Sequence, residues 1–216
     1  MSEQTVSLIV AMTWPLVLLI LVLIFLRPLR QLLQREDVEV RGPGGFLISS
    51  RNRQVAATAL VKASQKEPAL ALAPDDAEVE IEVAASGVER SWRVPRVLWV
   101  DDRPSNNRYE RTVLHALGMY VDLSTSTDDA LAKVTVRGGY DVIISDMGRP
   151  SDEQAGYTLL AELRRVGVMT PFVIYATSRD PAHFDESVRR GAEGCTNRPN
   201  ELVELVTNAL RSHELR

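Results

Sequence analysis

Val97-Leu98-Trp99-Val100-Asp101-Asp102 and Val142-Ile143-Ile144-Ser145-Asp146 decide how this chain folds. Each begins as an apolar run without polar alternation, which reads as a parallel strand buried on both faces. Each then closes in carboxylate, where a small residue or a turn residue is the ordinary ending. Parallel strands present their carboxyl ends on one edge of the sheet, so Asp101, Asp102 and Asp146 are expected to converge there. Crowded carboxylates repel one another unless something neutralises them. A hard divalent cation such as Mg2+ does so through oxygen ligands. It would leave one carboxylate free to attack a phosphoryl donor. Helix capping by Asp102, ahead of Pro104, is the plainer reading of one acid. It does not account for a second strand ending in Asp at the neighbouring edge. Asp141 begins its strand, so it belongs at the far edge, in a structural role.

Working outward, strands fall near 96–101, 119–123, 141–146, 171–176 and 193–196. Helical spacing marks Tyr109, Val113, Ala116 and Leu117, then Ala130, Leu131 and Val134, then Leu159, Leu160 and Leu163. A fourth helix runs from about 181 to 190, and Leu202, Leu205, Val206, Ala209 and Leu210 mark a fifth. Alternating strand and helix predict a doubly wound five-stranded parallel α/β sheet of order 2-1-3-4-5.

The stretch from about Arg96 to Ser212 resembles a response-regulator receiver domain, which has a flavodoxin-like sheet. Six marks fall in order: Asp101-Asp102; Asp146 after an apolar strand; Pro150 and Gly156; the strand Pro171-Phe172-Val173-Ile174-Tyr175; Gly191-Ala192; and Arg198-Pro199. The resemblance implies that Asp101 and Asp102 hold Mg2+ together with Asp146, and that Asp146 accepts a phosphoryl group, usually from a histidine kinase. It also implies that Arg198 lies beside the acids, where the family usually has Lys. Where the family has Thr or Ser followed by Ala, this chain has Ala176 followed by Thr177. The segment from Asp146 to Gly156 is about two residues longer than the family spacing. These departures bear on switching more than on the metal site. Arg is a planar fork rather than a point charge, and Ala176 has no hydroxyl to donate, so Thr177 is the candidate to replace it. Arg149 stands three residues after the presumed acceptor, where it either approaches the phosphoryl group or faces water.

The 216 residues carry a formal net charge of −4, 45% hydrophobic and 25% charged residues. That is a globular composition without the basic surface that nucleic-acid binding needs, and no helix-turn-helix pattern follows the receiver-like part. Val6 to Leu26 has no charged residue. At 1.5 Å per residue it reaches about 31 Å, the thickness of a bilayer core. Glu3 precedes the run, and Arg27, Arg30 and Arg35 follow it. This predicts an uncleaved single-pass anchor in the inner (plasma) membrane, N-terminus outside and the rest cytoplasmic.

The expected organisation is an anchor and juxtamembrane helix over 1–35, a small hairpin-helix segment over 36–66, a linker with a possible hairpin over 67–95, and the receiver-like domain over 96–216. In the second segment a short hairpin turns at Gly42-Pro43-Gly44-Gly45, between Val38 and Val40 and the run Phe46-Leu47-Ile48, and Val55, Ala59, Leu60 and Ala63 mark a three-turn helix packed on it. In the third, Val79, Ile81 and Val83 alternate with Glu as strands do. Cys195 is the single cysteine, read as a small buried apolar residue. His115, His183 and His213 lack metal-binding spacing. Glu110 and Glu162 read as surface charges.

The leading expectation is a membrane-anchored signalling receiver, not an enzyme, whose output is contact with another protein. A degenerate receiver that only binds partners is the alternative. A membrane-linked nucleotide-processing effector is a third, lacking any recognisable nucleotide loop.

Overall fold

The computed structural model describes residues 47–91, 93–137, 139–150, 152–176 and 181–214. The predicted anchor, the hairpin around Gly42 and Thr177 lie outside them. Among the described residues, no helix is long and apolar enough to cross a membrane.

Five parallel strands form one sheet in the order β2-β1-β3-β4-β5. They are β1 (Arg96–Val100), β2 (Tyr120–Ser124), β3 (Val142–Ser145), β4 (Phe172–Tyr175) and β5 (Gly194–Thr196). In β1, Val97 and Trp99 face one core while Leu98 and Val100 face the other; in β3, Val142 and Ile144 oppose Ile143 in the same way. These two central strands therefore need apolar side chains toward both faces, which is why Val97–Val100 and Val142–Ile144 read as unbroken runs.

Helices α3 (Arg108–Ala116) and α7 (Pro199–Glu214) cover one face, and α4 (Thr127–Arg137) and α5 (Ala155–Arg165) the other. Helix α6 (Pro181–Arg189) packs beside β5. Turns of one kind return the chain to the sheet. After α3, Gly118 takes φ 79° while its N–H bonds to the His115 carbonyl and that of Met119 to the Leu114 carbonyl. Gly167 (φ 80°) does the same after α5. A side chain at either position would be strained in the left-handed region.

Two further helices precede the sheet. Helix α1 (Ser50–Ser64) is capped by the Ser49 hydroxyl, which accepts from the Asn52 N–H. It runs 15 residues, longer than the three turns expected, and packs on α3 and α2. Helix α2 (Pro74–Val88) replaces the predicted linker and hairpin. The alternation of Val79, Ile81 and Val83 misled, because Val79 and Val83 are 65% and 59% exposed. The pattern that governs is Ala77, Ile81, Ala84, Ala85 and Val88, all buried on one helical stripe. Pro74 opens the helix with Asp75 and Asp76 in its first turn, and Ala and Glu favour helix throughout. Helix α2 then lies on α7 so closely that a Cβ at Gly87 would stand 2.7 Å from the Arg211 guanidinium. Glu89 ties the end of α2 to α1 by accepting from the Ile48 N–H and from Arg53, at 2.8 and 2.7 Å.

Candidate functional site

Strand order reverses between β1 and β3, and in such sheets the crevice beyond the carboxyl ends at that point is the usual ligand site. Val100 pairs with Ser145 there, so the residues that follow emerge side by side. The Asp101 N–H donates to the Ser124 carbonyl and the Asp146 N–H to the Val100 carbonyl, each at 2.9 Å, extending the ladder into the acids. Asp101, Asp102 and Asp146 bring one carboxylate oxygen each to within 4.8 Å of one another.

The three acids are held differently. Asp101 is 3% exposed; its oxygens accept from the Arg103 N–H at 2.7 Å and the Asn107 amide at 2.5 Å. Asp102 is partly exposed and meets the Arg103 guanidinium at 3.6 Å. Asp146 accepts from the Met147 N–H at 2.7 Å. Burial, then the charge of Asp101, raises its carboxyl above the usual range. Gly156 allows α5 to start against this loop, since a Cβ there would stand 3.0 Å from the Asp146 carbonyl oxygen. Three clustered oxygen donors under mutual repulsion suit a hard divalent cation; a softer metal would seek sulfur or imidazole.

Arg198 is not brought to the acids. It precedes the first turn of α7, where its carbonyl accepts from the Leu202 N–H and its half-exposed guanidinium pairs with Glu201 at 3.3 Å. The acidic first turn of α7 therefore captures it. Arg149 is the arginine that the structure buries beside the acids. It is 8% exposed and donates from Nη1 to the Thr127 hydroxyl at 2.7 Å and from Nη2 to the Ser145 hydroxyl at 2.6 Å. Burial lowers its guanidinium from the usual value, opposed by the charges of Asp146, Asp102 and Asp101. The extra residues after Asp146 form the turn that aims it: Arg149 and Asp152 exchange backbone hydrogen bonds at 2.8 and 2.9 Å. Asp152 in turn accepts from the Gln154 N–H and the Thr158 hydroxyl. Ala176 lines the site, 7% exposed and without a hydroxyl to offer it.

Glu110 corrects the surface reading. It is 2% exposed, ion-paired to Lys66 at 2.6 Å, and accepts from the Tyr175 phenol at 3.0 Å. Burial, then Glu110, pushes that phenol above its ordinary range. The Tyr175 ring meets Trp99 edge-on at 5.9 Å. Lys66 and Leu70, from the segment after α1, thereby wall one side of a cleft of about 700 Å³ whose opposite side carries the acids. Buried carboxylates on helices seldom announce themselves in sequence; the available hint was a helical Glu one turn before the apolar Val113 and Leu114.

The remaining candidates stay away from this chemistry. Glu162 pairs with Arg165 on the surface at 2.7 Å. Asp141 lies at the far edge, 4% exposed, accepting from Arg93 and the Arg96 N–H, each at 2.8 Å. Cys195 is buried in β5 and its thiol is raised by that burial. Burial lowers the His115 imidazole.

A family model described as the response regulator receiver domain matches residues 97–210. Sensor protein EvgS of Escherichia coli (strain K12) is 27% identical over 119 residues, which cover 55% of this chain and 10% of that protein. Two-component response regulator ORR41 of Oryza sativa subsp. japonica is 30% identical over 113 residues, covering 51% of this chain and 87% of the relative. The chain thus spans about a tenth of one relative and most of the other. The signal receiver domain of a Luxo repressor protein from Vibrio parahaemolyticus superposes with TM-score 0.51 at 19% identity, over 57% of this chain and 95% of that one. That likeness concerns the fold.

Proposed function

Because the chain belongs to the response regulator receiver domain family, we propose that it is a phosphoryl-accepting signalling protein with Asp146 as its acceptor. The observation that carries this reading is the convergence of Asp101, Asp102 and Asp146 at the switch point of the sheet. A histidine kinase is the expected donor. An Asp146 carboxylate oxygen attacks the donor phosphorus, a P–O bond forms as the donor's P–N bond to imidazole breaks, and the imidazole nitrogen keeps the electron pair. Met147 N–H orients the acceptor through its other oxygen. Asp101, fixed by Arg103 and Asn107, and Asp102 would hold Mg2+ with Asp146. Bound there, the cation neutralises charge that builds on the transferring group. Output is a protein contact.

The uncharged run Val6 to Leu26 and the arginines after it support a single-pass anchor with this domain on the cytoplasmic side. Protease added outside intact spheroplasts should then spare residues 47–214; digestion of that part would refute the orientation.

Ala176 favours one competing reading, a partner-binding module that does not use phosphorylation, because this residue, directly after β4 and lining the site, has no hydroxyl to answer a phosphoryl group. Intact-mass analysis of the full chain with Mg2+ and acetyl phosphate separates the two. The expected result is one phosphoryl adduct, absent in Asp146→Asn. No adduct, or one that persists in that variant, would sink the acceptor assignment.

A further inference from the structure

We propose that Arg149 is the cation that receives the phosphoryl group on Asp146, and that in doing so it relays phosphorylation to the start of helix α4. The inference rests on Asp146 being the acceptor. Three cations line the cleft among the described residues: Lys66, Arg103 and Arg149. Lys66 is committed to Glu110. Arg103 is 73% exposed in its side chain, so solvent screens it. Arg149 is buried, and its Nε–H has no hydrogen-bond partner although its two Nη groups do. A buried donor left unpaired costs about 1–3 kcal/mol, so the structure holds an unused N–H at an acidic site. A phosphoryl group on Asp146 adds acceptor oxygens and negative charge three residues away. An arginine fork suits such oxygens, taking them in pairs where Lys meets them as a point charge.

The two Nη partners define where the effect goes. Ser145 is the last residue of β3. Thr127 is the first residue of α4, next to Ser126, whose hydroxyl caps that helix by accepting from the Asp129 N–H at 3.1 Å. Ser124 joins the same cluster through Asp129 at 2.5 Å, and its carbonyl receives the Asp101 N–H. When Arg149 turns toward phosphoryl oxygens, Thr127 loses its donor, and the first turn of α4, no longer tied to Arg149, loosens. The response therefore appears at 126–131, whereas β4 and β5 stay quiet because Ala176 cannot follow the phosphoryl group and Arg198 is held by Glu201.

The test uses the purified full chain with Mg2+ and acetyl phosphate, following adduct mass against time and amide exchange with and without phosphorylation. The step is closed in atoms: the phosphoryl passes to Asp146 and acetate leaves with the electron pair. In the unaltered chain, the adduct should form and exchange should quicken at Asp129 and Ala130. Arg149→Gln should slow uptake by roughly 100-fold, the usual loss on removing one charge-stabilising donor, and erase the change at 126–131. Arg149→Lys should recover uptake to within about tenfold yet leave that change absent, because an ammonium keeps the charge without the fork. Arg198→Gln should follow the unaltered chain. Equal uptake and an equal exchange change in Arg149→Gln would overturn the proposal, as would the same losses appearing in Arg198→Gln instead. If Arg149→Gln does not fold, Arg149→Lys decides: a full exchange response at 126–131 overturns the relay, and its absence with uptake retained supports it. No adduct on the unaltered chain would overturn the acceptor reading itself, and this one with it.

Discussion

Asp146 holds its proton more tightly than an ordinary Asp, because burial disfavours its charge and Asp101 repels it. The folded chain therefore keeps a proton that the unfolded chain releases, in the window between the ordinary carboxylate value and the raised one. Stability is fully present below that window and falls as pH rises through it. At neutral pH the ionised carboxylate is a net cost to folding. In metal-free buffer, Asp146→Asn should therefore raise Tm at pH 7, with the advantage shrinking on acidification through the window. Thermal melts across pH in the presence of a chelator check this; a variant no more stable than the parent at pH 7 would contradict it. At this scale the three acids were legible, because charge at the end of a buried strand is costly and two neighbouring strands both carry it. The arginines were not. The resemblance put Arg198 beside the acids, but the Glu201 carboxylate one turn into α7 draws its guanidinium outward. Arg149 gave no sign of burial, since what buries it is a turn made by the extra residues before Gly156 and hydroxyls from two other elements.

The elements divide along the same line. The central strands β1, β3 and β4 were readable because each is sandwiched between two apolar layers, so that composition marks them, whereas the edge strands β2 and β5, with Asp122 in one and Gly194 in the other, followed from the strand–helix alternation around them. Helix α2 was not, because its core stripe is mostly alanine while two of its valines point outward. Val79, Ile81 and Val83 at two-residue spacing form one face of a strand, yet on a helix they separate: Ile81 is 1% exposed, and the two valines are mainly in solvent. That contrast is testable. Ile81→Ala should cost about 2–4 kcal/mol, as deletion of a fully buried aliphatic does, whereas Val79→Ala should stay within about 0.5 kcal/mol. Urea denaturation of the three proteins measures both values. Equal losses at the two positions would restore the strand reading, since both would then share one buried face.

At the scale of the molecule, the family boundary near residue 97 is not a boundary of packing. One apolar cluster runs from Ile48 through α1 and α2 to Val206 and Leu210 of α7, and contains Trp99 of β1. The helical pair thus completes a face of the sheet domain rather than tethering it. A deep polar tie between the two sits at the mouth of the acid cleft, where Lys66 meets Glu110 and Glu110 meets Tyr175. Removing one partner of a buried ion pair leaves the other charge uncompensated, at about 3–5 kcal/mol when both are buried. Here Lys66 is 38% exposed in its side chain while Glu110 is 1%, so solvent recovers part of the loss and Lys66→Met should cost about 2 kcal/mol. Glu110→Gln keeps the hydrogen bond from Tyr175 and removes the stranded charge, so adding it to Lys66→Met should return part of that stability. A double-mutant cycle in urea reads the coupling. Strictly additive effects would mean that the helical pair is held by apolar contact alone. A coupling above about 1 kcal/mol would make the acid cleft and the N-terminal helices one cooperative unit, in which whatever binds beside Asp146 also bears on how those helices are held.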